Sequence, residues 1–123
     1  MNIRTAGLII WKCEGTKRGN KRMVEMCNSD DWIISTFMKF LIKEMKVPKG
    51  KIRLRIFLHK DDVENEAKKH WKKITNLKAK NFTKTMWKKR GKWNKKKLLF
   101  GTLVIRVHDK NLFNKIKEEA KTL

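Results

Sequence analysis

Thr5-Ala6-Gly7-Leu8-Ile9-Ile10-Trp11-Lys12-Cys13-Glu14-Gly15 is the stretch on which the fold turns. Residues 1–13 are expected to be helical, and they are apolar on nearly every side. A helix apolar all round must be covered all round. For a terminal helix in a short chain, that places one side on its own domain and another on a partner. The small residues Ala6, Gly7 and Cys13 let a second helix approach closely, with Ile3 and Ile10 on the same contact face. Glu14 ends the helix, and Gly15 suits its C-terminal cap. Two symmetry-related copies of Glu14 at a helix–helix contact are suited to holding divalent ions. Magnesium takes carboxylate and water oxygens, often with substrate phosphates, and paired metals serve phosphodiester hydrolysis. By chemistry alone, a polar residue closing a helix is the simpler explanation of Glu14.

Working outward, residues 16–27 are expected to form a hairpin that turns at Gly19-Asn20. Asn28 or Ser29 can cap the next helix, and Asp30 and Asp31 suit its positive end. Ile34, Phe37, Leu41 and Met45 recur there with the helical period, until Pro48-Lys49-Gly50 breaks the pattern. Residues 51–59 alternate as a strand: Ile52, Leu54, Ile56 and Leu58 face one way, Arg53, Arg55, Phe57 and His59 the other. Asp61 and Asp62 open a third helix with the stripe Val63, Ala67, Trp71 and Ile74. The stretch from Phe82 to Val107 is expected to be a second hairpin with a long basic turn, and 110–121 a last amphipathic helix. The expected fold is a single α+β domain over 1–123, with one mixed, mainly antiparallel sheet packed by helices.

The chain has 123 residues and 33 Lys and Arg against 12 Asp and Glu, a formal charge of +21. Solubility needs far less charge than this. Such an excess opposes compaction by self-repulsion, and a polyanion relieves it. Five Trp and six Phe make this a folding chain rather than a disordered basic tail. No apolar run approaches a membrane span, and no secretory signal opens the chain. Cys13 and Cys27 lack zinc-site spacing, as do the scattered histidines His59, His70 and His108. Free thiols in the cytoplasm are expected, nucleoid-associated and organellar locations being the alternatives. The densest basic segment carries Lys78, Lys80, Lys84, Lys88, Lys89, Arg90, Lys92, Lys95, Lys96 and Lys97 without an acid, interrupted by Phe82, Trp87 and Trp93. Lysines on a twisted ribbon can follow a phosphate backbone. Charge by itself fits DNA and RNA alike.

The motif Thr5–Gly15 resembles the LAGLIDADG motif, whose last acid and glycine match Glu14 and Gly15. The matches continue through Val24-Glu25-Met26-Cys27-Asn28-Ser29-Asp30, Arg53-Leu54-Arg55-Ile56-Phe57-Leu58-His59, Phe82-Thr83-Lys84-Thr85 and Phe100-Gly101-Thr102-Leu103-Val104-Ile105-Arg106-Val107. Together they cover nearly the whole chain. Lys12 departs from the pattern, standing where the motif has its first acid, and Trp11 and Cys13 are bulkier than usual.

The resemblance implies a homing-endonuclease-like fold with a saddle-shaped sheet in the major groove of DNA. It implies a homodimer, since one motif supplies one acid, and therefore a roughly palindromic target. It implies Mg²⁺, or another divalent cation, held at Glu14 and Gly15. Asn28 matches the family's polar residue near the end of the second strand, and Lys110 or His108 its basic residue after the last strand. The implied DNA contacts are Lys17, Arg18, Lys21 and Arg22 on the first hairpin, then Arg53, Arg55, Lys84, Lys88, Lys89, Arg90, Lys92, Lys95 and Arg106. The implied activity is site-specific cleavage of duplex DNA. The alternatives are a non-catalytic DNA-binding regulator or intron-splicing cofactor of the same fold, and a general RNA-binding protein.

Overall fold

A computed structural model of the chain describes residues 1–16, 22–88 and 99–123. The elements are α1 (Ile3–Glu14), β1 (Met23–Asn28), α2 (Asp31–Lys39), β2 (Ile52–His59), α3 (Glu64–Thr75), β3 (Met86–Lys88), β4 (Thr102–His108) and α4 (Lys110–Ala120). The strands form one mixed sheet in the order β1-β4-β2-β3. β4 pairs antiparallel with both β1 and β2, while β3 runs parallel to β2. The fold is thus α+β, as expected.

One apolar core explains the arrangement. Val24 and Met26 of β1, Ile52, Leu54, Ile56 and Leu58 of β2, and Leu103, Ile105 and Val107 of β4 turn one sheet face inward. Against it lie Leu8, Ile10 and Trp11 of α1, Ile34, Phe37 and Met38 of α2, Ala67 and Trp71 of α3, and Leu112, Phe113 and Ile116 of α4. Strand alternation therefore sends the odd-numbered residues of β1 and β2, and the even-numbered residues of β4, to the opposite face. All four helices lie on the apolar face, because each has an amphipathic stripe and only one sheet face is apolar.

Two details depart from expectation. The helix that begins at Asp31 does not run on in α geometry to Met45. It widens into a π-turn over Phe40–Glu44, with Met45 N–H donating to the Phe40 carbonyl at 3.0 Å. The widening buries Phe40 and Leu41 side by side. The stretch from Phe82 to Val107 is not a hairpin either. β3 joins the outer edge of β2, and β2 stands between β3 and β4. The expected basic turn falls on 89–98, outside the described residues. The first hairpin shows its foot: Gly15 bridges Met26, and Thr16 N–H donates to the Glu25 carbonyl at 2.9 Å. Its turn at Gly19-Asn20 lies outside the described residues.

α1 also corrects the expected dimer face. Ala6, Gly7 and Ile10 are buried within the chain itself. A Cβ on Gly7 would run into the Phe40 ring, so the glycine admits Phe40 rather than a second copy of α1. Ile3 packs on the same core. The surface of α1 is instead the stripe Thr5, Ile9, Lys12 and Cys13, with Thr5 half-buried and Ile9 37% exposed.

Asp109 caps α4: its Oδ1 accepts from Leu112 N–H at 3.0 Å, and its Oδ2 accepts from Lys51 Nζ at 3.1 Å. These contacts hold the carboxyl below its ordinary value of 3.8. A depressed folded value means the stabilisation is present above the unfolded value and is lost as pH falls through the folded one. Asp109→Ala is therefore expected to cost about 1 kcal/mol at neutral pH, as for other lost caps. The difference from the parent should shrink on acidification below the ordinary carboxylate range. Denaturant midpoints measured down an acid series check this; a gap that persists at the lowest pH would contradict it.

Candidate nucleic-acid interface

The face of the sheet away from the helices carries Glu25 and Cys27 on β1, Val104, Arg106 and His108 on β4, Arg53, Arg55, Phe57 and His59 on β2, and Met86 and Lys88 on β3. Register sets them in rows. Glu25 lies opposite Arg106, and Arg106 opposite Arg53. Cys27 lies opposite Val104, and Val104 opposite Arg55. Like charges facing each other across strands destabilise a sheet, so the Arg106–Arg53 pair carries a cost. Glu25 offsets part of it by pairing with Arg106 Nε.

Each cation is held differently. Arg53 donates to the carbonyls of Gly50 at 2.7 Å and Ile52 at 3.2 Å, and it is exposed. Arg55 Nε donates to Thr83 Oγ1 at 3.2 Å. Lys88 lies with its ammonium 4.4 Å from the centre of the Phe57 ring, a cation–π contact that fixes it over the sheet. Among the described residues of this face, Glu25 is the acid. Arg53, Arg55 and Lys88 thus remain charged without a carboxylate partner on the face.

Glu14 is exposed at the end of α1, beside this face. The bridge from Gly15 to Met26 places it next to Cys27. Cys27 registers its surroundings: loss of water around the thiol raises its pKa above 9.0, Lys88 opposes the rise, and the carboxylates of Glu25 and Glu14 add to it. The thiol is therefore protonated at neutral pH and is no nucleophile. Its neighbourhood brings Glu14, Glu25 and Lys88 to one end of the open face. A Cβ on Gly15 would lie 2.5 Å from the Trp11 carbonyl, so glycine is required there by close approach, while its φ of −72° is ordinary.

Of the two residues expected to act with Glu14, one turns to the inner face of the sheet and the other lies at its far end. Asn28 follows the inward parity of Val24 and Met26, and its Oδ1 accepts from the N–H of Asp30, the N-cap of α2, at 2.8 Å. Lys110 opens α4 beyond the far end of β4. Cys27 pairs with Val104, and Met23 with His108. At about 3.3 Å per strand residue, His108 is therefore roughly 13 Å from the Glu14 end. Among the described residues, Lys88 acts on Cys27 at that end, and Arg55 stands in the same row as Cys27. Lys84 is exposed just before β3, and Arg22 just before β1. Lys17, Arg18, Lys21, Lys89, Arg90, Lys92 and Lys95 lie outside the described residues. Trp87 is 49% exposed but shares the side of Leu58, its register partner, not the arginine side.

Among the described residues, no group of three or more His, Cys, Asp or Glu side chains gathers in one chain. An exposed Glu14 still suits magnesium, which uses one or two carboxylates and fills its shell with water and phosphate oxygens. Among the described residues no helix is long and apolar enough to cross a membrane. Compared with family models, with curated proteins and with solved structures, the chain matches none.

Proposed function

We propose that this chain binds duplex DNA in the major groove with the open face of its sheet, and that a pair of chains cleaves the duplex at Glu14. The observation that carries the proposal is the division of the sheet. Helices take one face, Arg53, Arg55, Arg106 and Lys88 occupy the other, and Glu14 stands exposed at its edge. A sheet with one charged face presents cations at strand spacing to a curved polyanion, and a two-stranded ribbon fits the major groove. Glu14 from each chain would hold a divalent cation, which supplies Lewis acidity and an activated water. Lys88 stands at the same end to neutralise a phosphate. Two copies would meet along Ile9 and Cys13, the exposed stripe of α1, and not along the buried Ala6 and Gly7.

Cleavage is tested with pure protein, Mg²⁺ and a library of duplex targets. Glu14→Gln is expected to lower the cutting rate at least about a hundredfold, equivalent to about 2.7 kcal/mol of lost transition-state stabilisation. Equal cutting by both forms would remove Glu14 from the reaction. The placement of Lys110 at the far end of the sheet from Glu14, with Asn28 following the inward parity of its strand, favours a second reading, a non-catalytic DNA-binding regulator using the same face. That protein binds with the same affinity whether or not Mg²⁺ is present, and Glu14→Gln leaves it unchanged. Competition between duplex DNA and structured RNA separates both from an RNA-binding protein.

A further inference from the structure

Resting on the duplex-binding reading, we propose that Arg106 is a base-reading residue that selects guanine, and that Glu25 and Thr16 hold it in position to do so. The arginines of the open face are not equivalent. Arg53 and Arg55 are steadied by carbonyl and hydroxyl oxygens and keep their whole charge. Arg106 is paired through Nε with Glu25 Oε2, and Glu25 Oε1 in turn accepts from Thr16 Oγ1 at 3.1 Å. Arg106 and Glu25 together are close to neutral. A neutral unit adds little to phosphate attraction, which depends on displacing counterions. Its geometry is another matter. A guanidinium has five N–H groups in a rigid plane. With Nε fixed on a carboxylate, the two Nη groups keep a set direction, and such a fork matches O6 and N7 of guanine in the major groove.

Thr16 extends this brace to the end of α1. It lies two residues from Glu14, and its N–H is bonded to the Glu25 carbonyl at 2.9 Å. A cross-strand ion pair kept only for stability has no need of the second tie from Thr16. That tie costs side-chain freedom, and the Arg106–Glu25 pair it adds to is already part-buried.

The test selects bound sequences from a randomised duplex library with the full-length parent, Arg106→Lys and Glu25→Gln, each first shown to be folded by its thermal midpoint. The parent is expected to show guanine at one position of each half-site. Arg106→Lys keeps the charge but not the fork. It should lose roughly tenfold to a hundredfold of discrimination at that position, with the remaining profile intact. Glu25→Gln should lose part of the same preference and no other. The inference is overturned if Arg106→Lys retains the guanine preference, or if discrimination fades evenly across the site. If the parent binds structured RNA and not duplex DNA, the proposed function itself fails, and the inference with it.

Discussion

Raising monovalent salt from 50 to 200 mM is expected to weaken binding to a duplex by roughly three orders of magnitude or more, the loss seen when about six to ten phosphates are neutralised. Three described cations on the open face, Arg53, Arg55 and Lys88, lack a carboxylate partner there. A dimer doubles them, and the formal charge of +21 supplies more. The logarithm of affinity should fall linearly with the logarithm of salt. Arg53→Gln and Arg55→Gln should each lower the slope by about 0.9 for every phosphate that is no longer neutralised, whatever the sequence of the duplex. Fluorescence anisotropy at several salt concentrations measures all three proteins. A shallow slope, or a slope untouched by both substitutions, would mean that the sheet face is not where the polyanion sits.

The parts of the fold that were legible in the sequence are those set by local periodicity. β2 alternates over its whole length, and the residues expected to face inward, Ile52, Leu54, Ile56 and Leu58, are buried. The stripe from Ile34 to Leu41 likewise faces the core. What was not legible depends on partners far away in the chain. Local alternation near Phe82 and Leu103 suggests a hairpin, but β3 is three residues long and takes the free edge of β2 instead. The π-turn leaves no trace in periodicity, because Phe40 and Leu41 are apolar in either geometry. A small residue such as Gly7 signals close approach without naming what approaches, and Phe40 is what fills the space.

The same distinction runs through the site. Glu14 and the arginines of β2 and β4 could be singled out from residue type and alternation. Glu25 could not, since its role exists only through the β1–β4 register that sets it opposite Arg106. Placing Lys110 beside Glu14 fails for the related reason that antiparallel pairing puts the end of β4 near the start of β1. Chain order near a motif is a poor guide to distance once strands reverse.

Trp71→Ala is expected to cost about 3–5 kcal/mol, the range for truncating a buried aromatic side chain, and to lower the thermal midpoint by about ten degrees or more, at roughly 4 °C per kcal/mol in a domain of this size. Trp71 is 1% exposed, and its Nε1–H donates to the Phe100 carbonyl at 2.9 Å. The His70 ring meets it edge-on at 4.8 Å and stacks on Phe100 at 3.9 Å, while His70 Nε2 contacts Asp31 Oδ1 at 2.7 Å. One side chain therefore joins α3 to the segment leading into β4, one of the two inner strands and the one that carries Arg106. Removing it leaves a cavity and a carbonyl without its donor. Trp71→Phe keeps most of the packing and loses only the hydrogen bond, a cost of about 1–3 kcal/mol when the acceptor is left buried. Trp32 is 64% exposed, and Trp32→Ala should change stability by no more than about 0.5 kcal/mol. Denaturant unfolding of the three variants gives the order directly. If Trp71→Ala and Trp32→Ala proved equally mild, α3 would not be packed on the sheet, and the division into a helix face and a charged face would lose its basis.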